Sequence, residues 1–212
     1  MSPTFKIFEE HKFIAVIRSS SADDAEEMIK SASAGGIKIF EISLQTPQAM
    51  RLIETFSKKE GMLVGAGTVT DGEVAQRAIN AGAKFLSTQY TDRDVISVAK
   101  NNDSFVIQGA LTPTEVFDAY QAGADLVQIW HATIAGGPNY FRALREILPF
   151  VKLTAYGGAT LDNAFEYLKH CVAVSLRKAL FDRTIIRQDN WGEIKERAKQ
   201  FTQKLEGLKV TK

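Results

Sequence analysis

One cysteine, Cys171, stands in a chain of 212 residues. An internal disulfide is excluded, as is any zinc cluster built on paired thiols, and a lone thiol suits a reducing compartment. Histidine is scarce too: His11, His131 and His170 are the whole set. No two of them share metal-ligand spacing, so neither a metal nor another cofactor is expected. Acid and base nearly cancel, with 25 Asp and Glu against 26 Lys and Arg and a net charge of +1. The basic excess of a nucleic-acid binder is missing, and no nucleic-acid partner is expected. No stretch approaches the ~18 uninterrupted apolar residues of a membrane span. The opening "MSPTFKIFEEHKF" has no apolar signal core, so no membrane partner is expected and the expected location is cytoplasmic.

What the chain has is rhythm. A hydrophobic share of 45% supplies a core, and the length fits one domain over residues 1–212. Short β-branched and apolar runs recur: "FIAVIR" (13–18), "IKIFEIS" (37–43), "LVGAGTV" (63–69), "KFLST" (84–88), "FVIQGA" (105–110), "LVQIWH" (126–131), "KLTAYGG" (152–158) and "VAVSLR" (172–177). Stretches such as "SADDAEEMIKSASAG" and "TPTEVFDAYQAG" lie between them. They open near Ser, Thr, Asp or Pro and repeat apolar residues three and four apart, which predicts amphipathic helices. Further helices are expected at 3–11 and about 190–205.

A weak internal repeat supports the alternation. "SAGGIKIFEI", "NAGAKFLST" and "QAGADLVQIW" share a helix end, an Ala-Gly stop and a strand, with the glycine expected in the left-handed position. Eight strand-helix units without a linker predict the α/β class and a single (β/α)8 TIM barrel near the lower end of its length range. The alternative, an open doubly wound sheet, needs GxGxxG after the first strand. "IRSSSADDA" stands there instead, without glycine.

In a barrel the C-terminal strand ends form the active face, which fixes the candidates. The first three strands end in Arg18, in Glu41 with Ser43, and in Thr68; the fourth and fifth end in Thr88 with Gln89 and in Gln108. Gln128 and His131 end the sixth, Tyr156, Gly157 and Gly158 the seventh, and Ser175, Arg177 and Lys178 the eighth. Glu41 is the strongest signal, a carboxylate between Ile39, Phe40 and Ile42. Burial raises the pKa of such a group, which is how general acids and bases are made; a structural ion pair with Arg18 is the alternative. The two glycines of "GAGTV" (65–69) mark a close approach by backbone or ligand, or else packing against a helix. "YGGAT" and "SLRK" suggest an anion site at helix N-terminal amides. His131 is expected to be a hydrogen-bonded structural residue or an acid-base group, and Cys171 a core residue.

At these residues the chain resembles the KDPG/KHG aldolases, (β/α)8 class I aldolases that cleave 2-keto-3-deoxy-6-phosphogluconate or 4-hydroxy-2-oxoglutarate. The matching pieces are "VIR" (16–18), "GGIKIFEISLQTPQA" (35–49), "GAGTVT" (65–70), "AGAKF" (81–85), "LTPTE" (111–115), "AGG" (135–137) and "YGGATLDN" (156–163). The resemblance implies a lyase acting on a small anionic 2-keto acid, a proton-moving glutamate at Glu41, and a homotrimer. It also implies a Schiff-base lysine on the sixth strand. Laid on "QIWHATIAGG", that lysine falls on Gln128.

A carboxamide nitrogen has its lone pair delocalised into the carbonyl, so Gln128 cannot form an imine. Neighbouring pocket pieces differ as well: "TQY" (88–90) stands for Ser-Pro-Gly, Gln108-Gly109 for Pro-Gly, "AYGG" for Pro-Thr-Gly-Gly, "SLR" for Gly-Gly-Ser, and Gln45 for an arginine. Two functions follow as expectations. One is a lyase on a 2-keto acid or sugar-acid phosphate, working without the usual imine. The other is a repurposed, non-catalytic barrel whose Glu41, Gln89, Gln108, Gln128, Tyr156 and Arg177 form a hydrogen-bonding pocket for an anionic metabolite.

Overall fold

The computed structural model describes residues 2–210, and side chains as far as residue 208. A helix, α1 (Pro3–His11), precedes strand β1 (Phe13–Ile17), and α2 (Ala22–Ala34) leads to β2 (Ile39–Ser43). The alternation continues through α3 (Ala49–Ser57), β3 (Leu63–Gly67), α4 (Gly72–Asn80), β4 (Phe85–Ser87), α5 (Arg93–Asn101) and β5 (Phe105–Ala110). It ends with α6 (Pro113–Gln121), β6 (Leu126–Trp130), α7 (Pro138–Ile147), β7 (Leu153–Tyr156), α8 (Ala164–Tyr167), β8 (Ala173–Leu176), α9 (Arg183–Arg187) and α10 (Trp191–Val210). The eight parallel strands close in sequence order, β8 pairing with β1 through Phe13–Val174 and Ile14–Ser175, so the fold is a (β/α)8 barrel. The C-terminal helix runs five residues past its expected end.

Local chemistry places the elements. Ser2, Ser21, Asp71, Asp92 and Thr112 each accept a backbone N–H in the first turn of the helix they precede, and Thr112 forms a capping box with Glu115. The repeated Ala-Gly stops do what their pattern predicts: Gly36, Gly82 and Gly123 take φ of +96°, +101° and +103°. No L side chain adopts that conformation cheaply, so the chain turns there from helix into strand.

Strand side chains alternate between two faces. One set, including Ala15, Ile42, Val64, Val106, Ile129 and Val174, packs outward under the helices. The other fills the barrel. Its lowest layer is Ile14, Ile39, Leu63, Phe85, Phe105, Leu126 and Ala173, closed from below by Phe5 and Phe8 of α1. The Phe8 ring stacks on Phe105 at 5.1 Å and meets Phe85 edge-on at 5.3 Å. With the N-terminal end stoppered by apolar rings, the C-terminal mouth is the end of the barrel where polar side chains collect. Among the described residues no helix is long and apolar enough to cross a membrane.

Candidate active site

Two residues above the apolar layer the lumen face turns polar on several strands, although Val16 on β1 and Ile107 on β5 remain apolar. On β2 the position after Ile39 in this phase is Glu41, and on β4 the one after Phe85 is Ser87; on β8 Ala173 is followed by Ser175. All three are buried, Glu41 at 1% exposure. Neither Glu41 oxygen makes a hydrogen bond of good geometry, nor do the Ser87 and Ser175 hydroxyls, although the Ser87 hydroxyl lies near enough to act on the carboxylate. Burial pushes the Glu41 carboxyl up to about 7, against a smaller downward pull from the neighbouring Ser87 hydroxyl. No ion pair to Arg18 forms among the described residues; Arg18 lies just past β1 and is exposed.

The glycines of β3 make this carboxylate possible. A Cβ on Gly67 would sit 2.6 Å from Glu41 Cγ, and one on Gly65 would sit 2.5 Å from the Phe85 ring. The close approach is therefore by side chains from the two flanking strands, across the lumen face of β3. Neither a ligand nor a helix takes that space. Thr68, which follows Gly67, holds φ at +59° and meets the Ser43 hydroxyl at 3.2 Å. For a β-branched residue this backbone is strained, a condition that collects at functional sites. A groove lined by Gln45, Thr46, Thr68 and Arg77 opens between the loops that follow β2 and β3.

Gln128 on β6 shares the lumen phase and is 1% exposed. Its Nε2 donates to the carbonyl of Thr88, just beyond β4. Between them lies the end of β5, where Gly109 pairs with Gln128. A Cβ on Gly109 would sit 2.5 Å from the Tyr90 nitrogen and collide with the Gln89 carbonyl. The Gln89–Tyr90 main chain thus folds over β5 into the space that a side chain at 109 would fill. Gln128 holds that chain from the far side, which satisfies a buried amide that would otherwise be costly.

Gln108 does not join this group. It lies in the outward phase of β5, where its Oε1 accepts the Asp92 N–H at 2.7 Å at the start of α5. The three glutamines expected around the mouth are two, Gln89 and Gln128, with Gln108 bracing a helix instead.

Tyr156 completes the lumen face of β7, half-buried. Burial raises its phenol pKa, the Glu41 charge raises it further, and Arg177 and Arg18 pull it down. His131 packs over the next turn, since a Cβ on Gly157 would lie 2.6 Å from His131 Nε2, and its Nδ1 is buried without a partner. Gly158 gives the same room to Thr133. These two glycines take φ of +98° and +83° and are spent on the loop after β6. Three amides of the two turns expected to hold an anion are bonded locally. The Thr160 N–H bonds Asn163 Oδ1, the Leu180 and Phe181 N–H groups bond the Arg177 carbonyl, and the helices beyond, α8 and α9, have four and five residues.

Sequence reasoning missed Ser87 and Trp130. Trp130 follows Gln128 by two residues in one phase, and that spacing was the available signal; Ser87 follows Phe85 in the same way, on a strand of three residues. Lys178, the strand-end lysine, lies two residues past β8 and is exposed. Cys171 lies before β8, its thiol pushed up to about 12 by burial and donating to the Ala173 carbonyl. No group of three or more His, Cys, Asp or Glu suited to a metal occurs among the described residues.

A family model described as KDPG and KHG aldolase matches residues 5–197. The chain is 30% identical over 172 residues to the 2-dehydro-3-deoxy-6-phosphogalactonate aldolase of Escherichia coli, with 79% of this chain and 83% of that one covered. It is 27% identical over 198 residues to a 2-dehydro-3-deoxy-phosphogluconate aldolase of Pseudomonas aeruginosa, covering 90% and 88%. Among solved structures it resembles the KDPG aldolase of Legionella pneumophila with pyruvate captured as a covalent carbinolamine. The TM-score is 0.81 at 26% identity, over 93% of this chain and 97% of that one.

Proposed function

The chain belongs to the KDPG and KHG aldolase family, and from that premise we propose that its barrel binds a small anionic 2-keto acid at the mouth and moves a proton at the carbon beside the keto group through Glu41, without an imine. The observation that carries this is the carboxylate itself. Glu41 is buried, unpaired and poised near neutrality, the state in which one group both accepts and returns a proton at physiological pH.

The remaining roles follow from charge. Arg177 and Arg18 stand at the ends of β8 and β1 as cations for the ligand carboxylate. The Tyr156 phenol, held protonated by burial and by the Glu41 charge, donates to the keto oxygen. Glu41 takes the proton from C3, negative charge develops on that oxygen, and the phenol hydrogen bond strengthens as it does. Returning the proton to C3 regenerates the keto acid. Retro-aldol cleavage, the family reaction, puts the same charge on the same oxygen. One such donor is worth about 3–4 kcal/mol, less than an iminium sink supplies, so turnover is slow. The protein acts in the cytoplasm as a homotrimer. The assembly is supported by an exposed apolar face on α6 and the end of α7, where Tyr120 meets Phe150 at 5.1 Å beside Phe117 and Ile147.

The test is proton exchange. Pyruvate incubated with the protein in D2O loses its methyl proton signal, Glu41→Gln stops the loss, and borohydride leaves no adduct on the protein mass. An adduct on any lysine would restore the imine mechanism. A second function is favoured by the Gln128–Thr88 contact, which puts an amide and main chain where the family places its amine: a barrel that binds the same anion without turnover. Saturable pyruvate binding with no exchange would decide for it.

A further inference from the structure

The mouth is not uniform. Trp130 ends β6 in the same phase as Gln128, so its indole belongs to the lumen side, yet it is 45% exposed. The register that pairs Ala110 with Ile129 brings Leu111, 41% exposed, alongside it. Ile134, in the loop that follows, is 81% exposed. Three large apolar side chains are thus left open around the end of one barrel strand. Across β7, which pairs Trp130 with Tyr156, the character reverses. There the neighbouring strands β8 and β1 run into Arg177 and Arg18, each in the lumen phase of its strand. One side of the mouth is apolar and the other cationic, with the phenol between.

We infer that the ligand is a 2-keto acid with an apolar or aromatic side chain, its carboxylate on the Arg18–Arg177 side and its tail against Trp130 and Leu111. The inference rests on the proposed keto-acid site and specifies its substrate class. A polyhydroxylated sugar acid fits this side of the mouth poorly. Its hydroxyls would face Trp130 and Leu111, which offer them nothing on the apolar side beyond one indole N–H. An indole face also gives an aromatic ring an offset or edge contact that a sugar lacks.

Isothermal titration of the full chain with pyruvate, phenylpyruvate, 4-methyl-2-oxopentanoate and 6-phosphogluconate tests this. Phenylpyruvate and 4-methyl-2-oxopentanoate are expected to bind at least tenfold more tightly than pyruvate, with quenching of tryptophan fluorescence. Trp130→Ala should collapse that ratio toward one, and Trp130→Phe should keep most of it, which separates loss of the contact from loss of the fold. Arg177→Gln should weaken all three keto acids together. Equal binding of the three, or tighter binding of 6-phosphogluconate, would overturn the assignment while leaving an anion site at the mouth. Failure of all four ligands to bind would overturn the keto-acid site itself.

Discussion

The side-chain amide of Gln128 donates to the main-chain carbonyl of Thr88, joining β6 to the chain beyond β4 over the end of β5. Gly109 lies between them with no side chain to obstruct the contact. Gln128→Leu removes the donor and leaves a buried carbonyl unpaired, at a cost of about 1–3 kcal/mol. For a chain of this size that lowers Tm by roughly 2–4 °C per kcal/mol. Thermal unfolding of the two proteins reads it directly, and an unchanged Tm would mean that the contact contributes nothing. Gln128→Lys keeps a donor of similar reach, so it should fall between the two. It should also yield a pyruvate adduct on borohydride treatment where the parent chain yields none.

Gly67 and Glu41 are similarly matched. Gly67→Ala introduces a Cβ 2.6 Å from Glu41 Cγ, and overpacking of this kind costs about 1–3 kcal/mol. The carboxylate has to leave its seat, so exchange of pyruvate protons should fall at least tenfold even where the protein remains folded by circular dichroism. Gly65→Ala, which strikes the Phe85 ring instead, should destabilise comparably but reduce exchange far less. Equal losses of exchange in both variants would show that Glu41 is not specifically displaced.

Much of this was readable in the sequence, and the exceptions have physical causes. The Ala-Gly stops announced the helix ends because few residues other than glycine take φ near +100°. Glu41 announced itself because a carboxylate among Ile and Phe has no cheap structural excuse. The side on which Gln108 falls was not readable. "FVIQGA" is apolar on both faces, so alternation cannot set its phase, and the Asp92 amide that captures Gln108 comes from another unit of the barrel. Ser87 was hidden because β4 has only three residues, too few to display a period. The role of Gln128 was half legible. Its inability to form an imine follows from amide chemistry alone, but its partner is a main-chain carbonyl forty residues away, which no local pattern encodes.

The Glu41 carboxyl sets a pH dependence of known sign. Its folded value, about 7, lies above the ordinary 4.5, so between those values the folded state holds a proton that the unfolded chain has lost. The associated stability is complete below pH 4.5 and declines as pH rises to about 7. Above that the cost is constant, roughly 3 kcal/mol for a shift of this size. Glu41→Gln is permanently neutral, so it should match the parent chain near pH 4.5 and exceed its stability by up to that amount at pH 8. Urea denaturation at the two pH values checks it; a Glu41→Gln advantage that does not grow with pH would place the carboxyl at an ordinary value. Proton exchange should move the opposite way, rising with pH through about 7 as the base forms.

Tyr120 and Phe150 supply the last prediction. They touch at 5.1 Å yet are 42% and 47% exposed, with Ile147 at 59% and Phe117 at 38% on the same side. The homotrimer proposed above would bury these side chains. Tyr120 lies on a solvent-facing turn of α6 and contributes little to the core, so Tyr120→Asp is expected to fold. Against a second copy, however, a carboxylate would be buried without a partner, which costs several kcal/mol at each contact. The parent chain should therefore run as a trimer by light scattering and Tyr120→Asp as a monomer, with a spectrum unchanged by circular dichroism. If the variant remains trimeric, the subunits meet through another face; if the parent chain is monomeric at high concentration, the homotrimer is wrong.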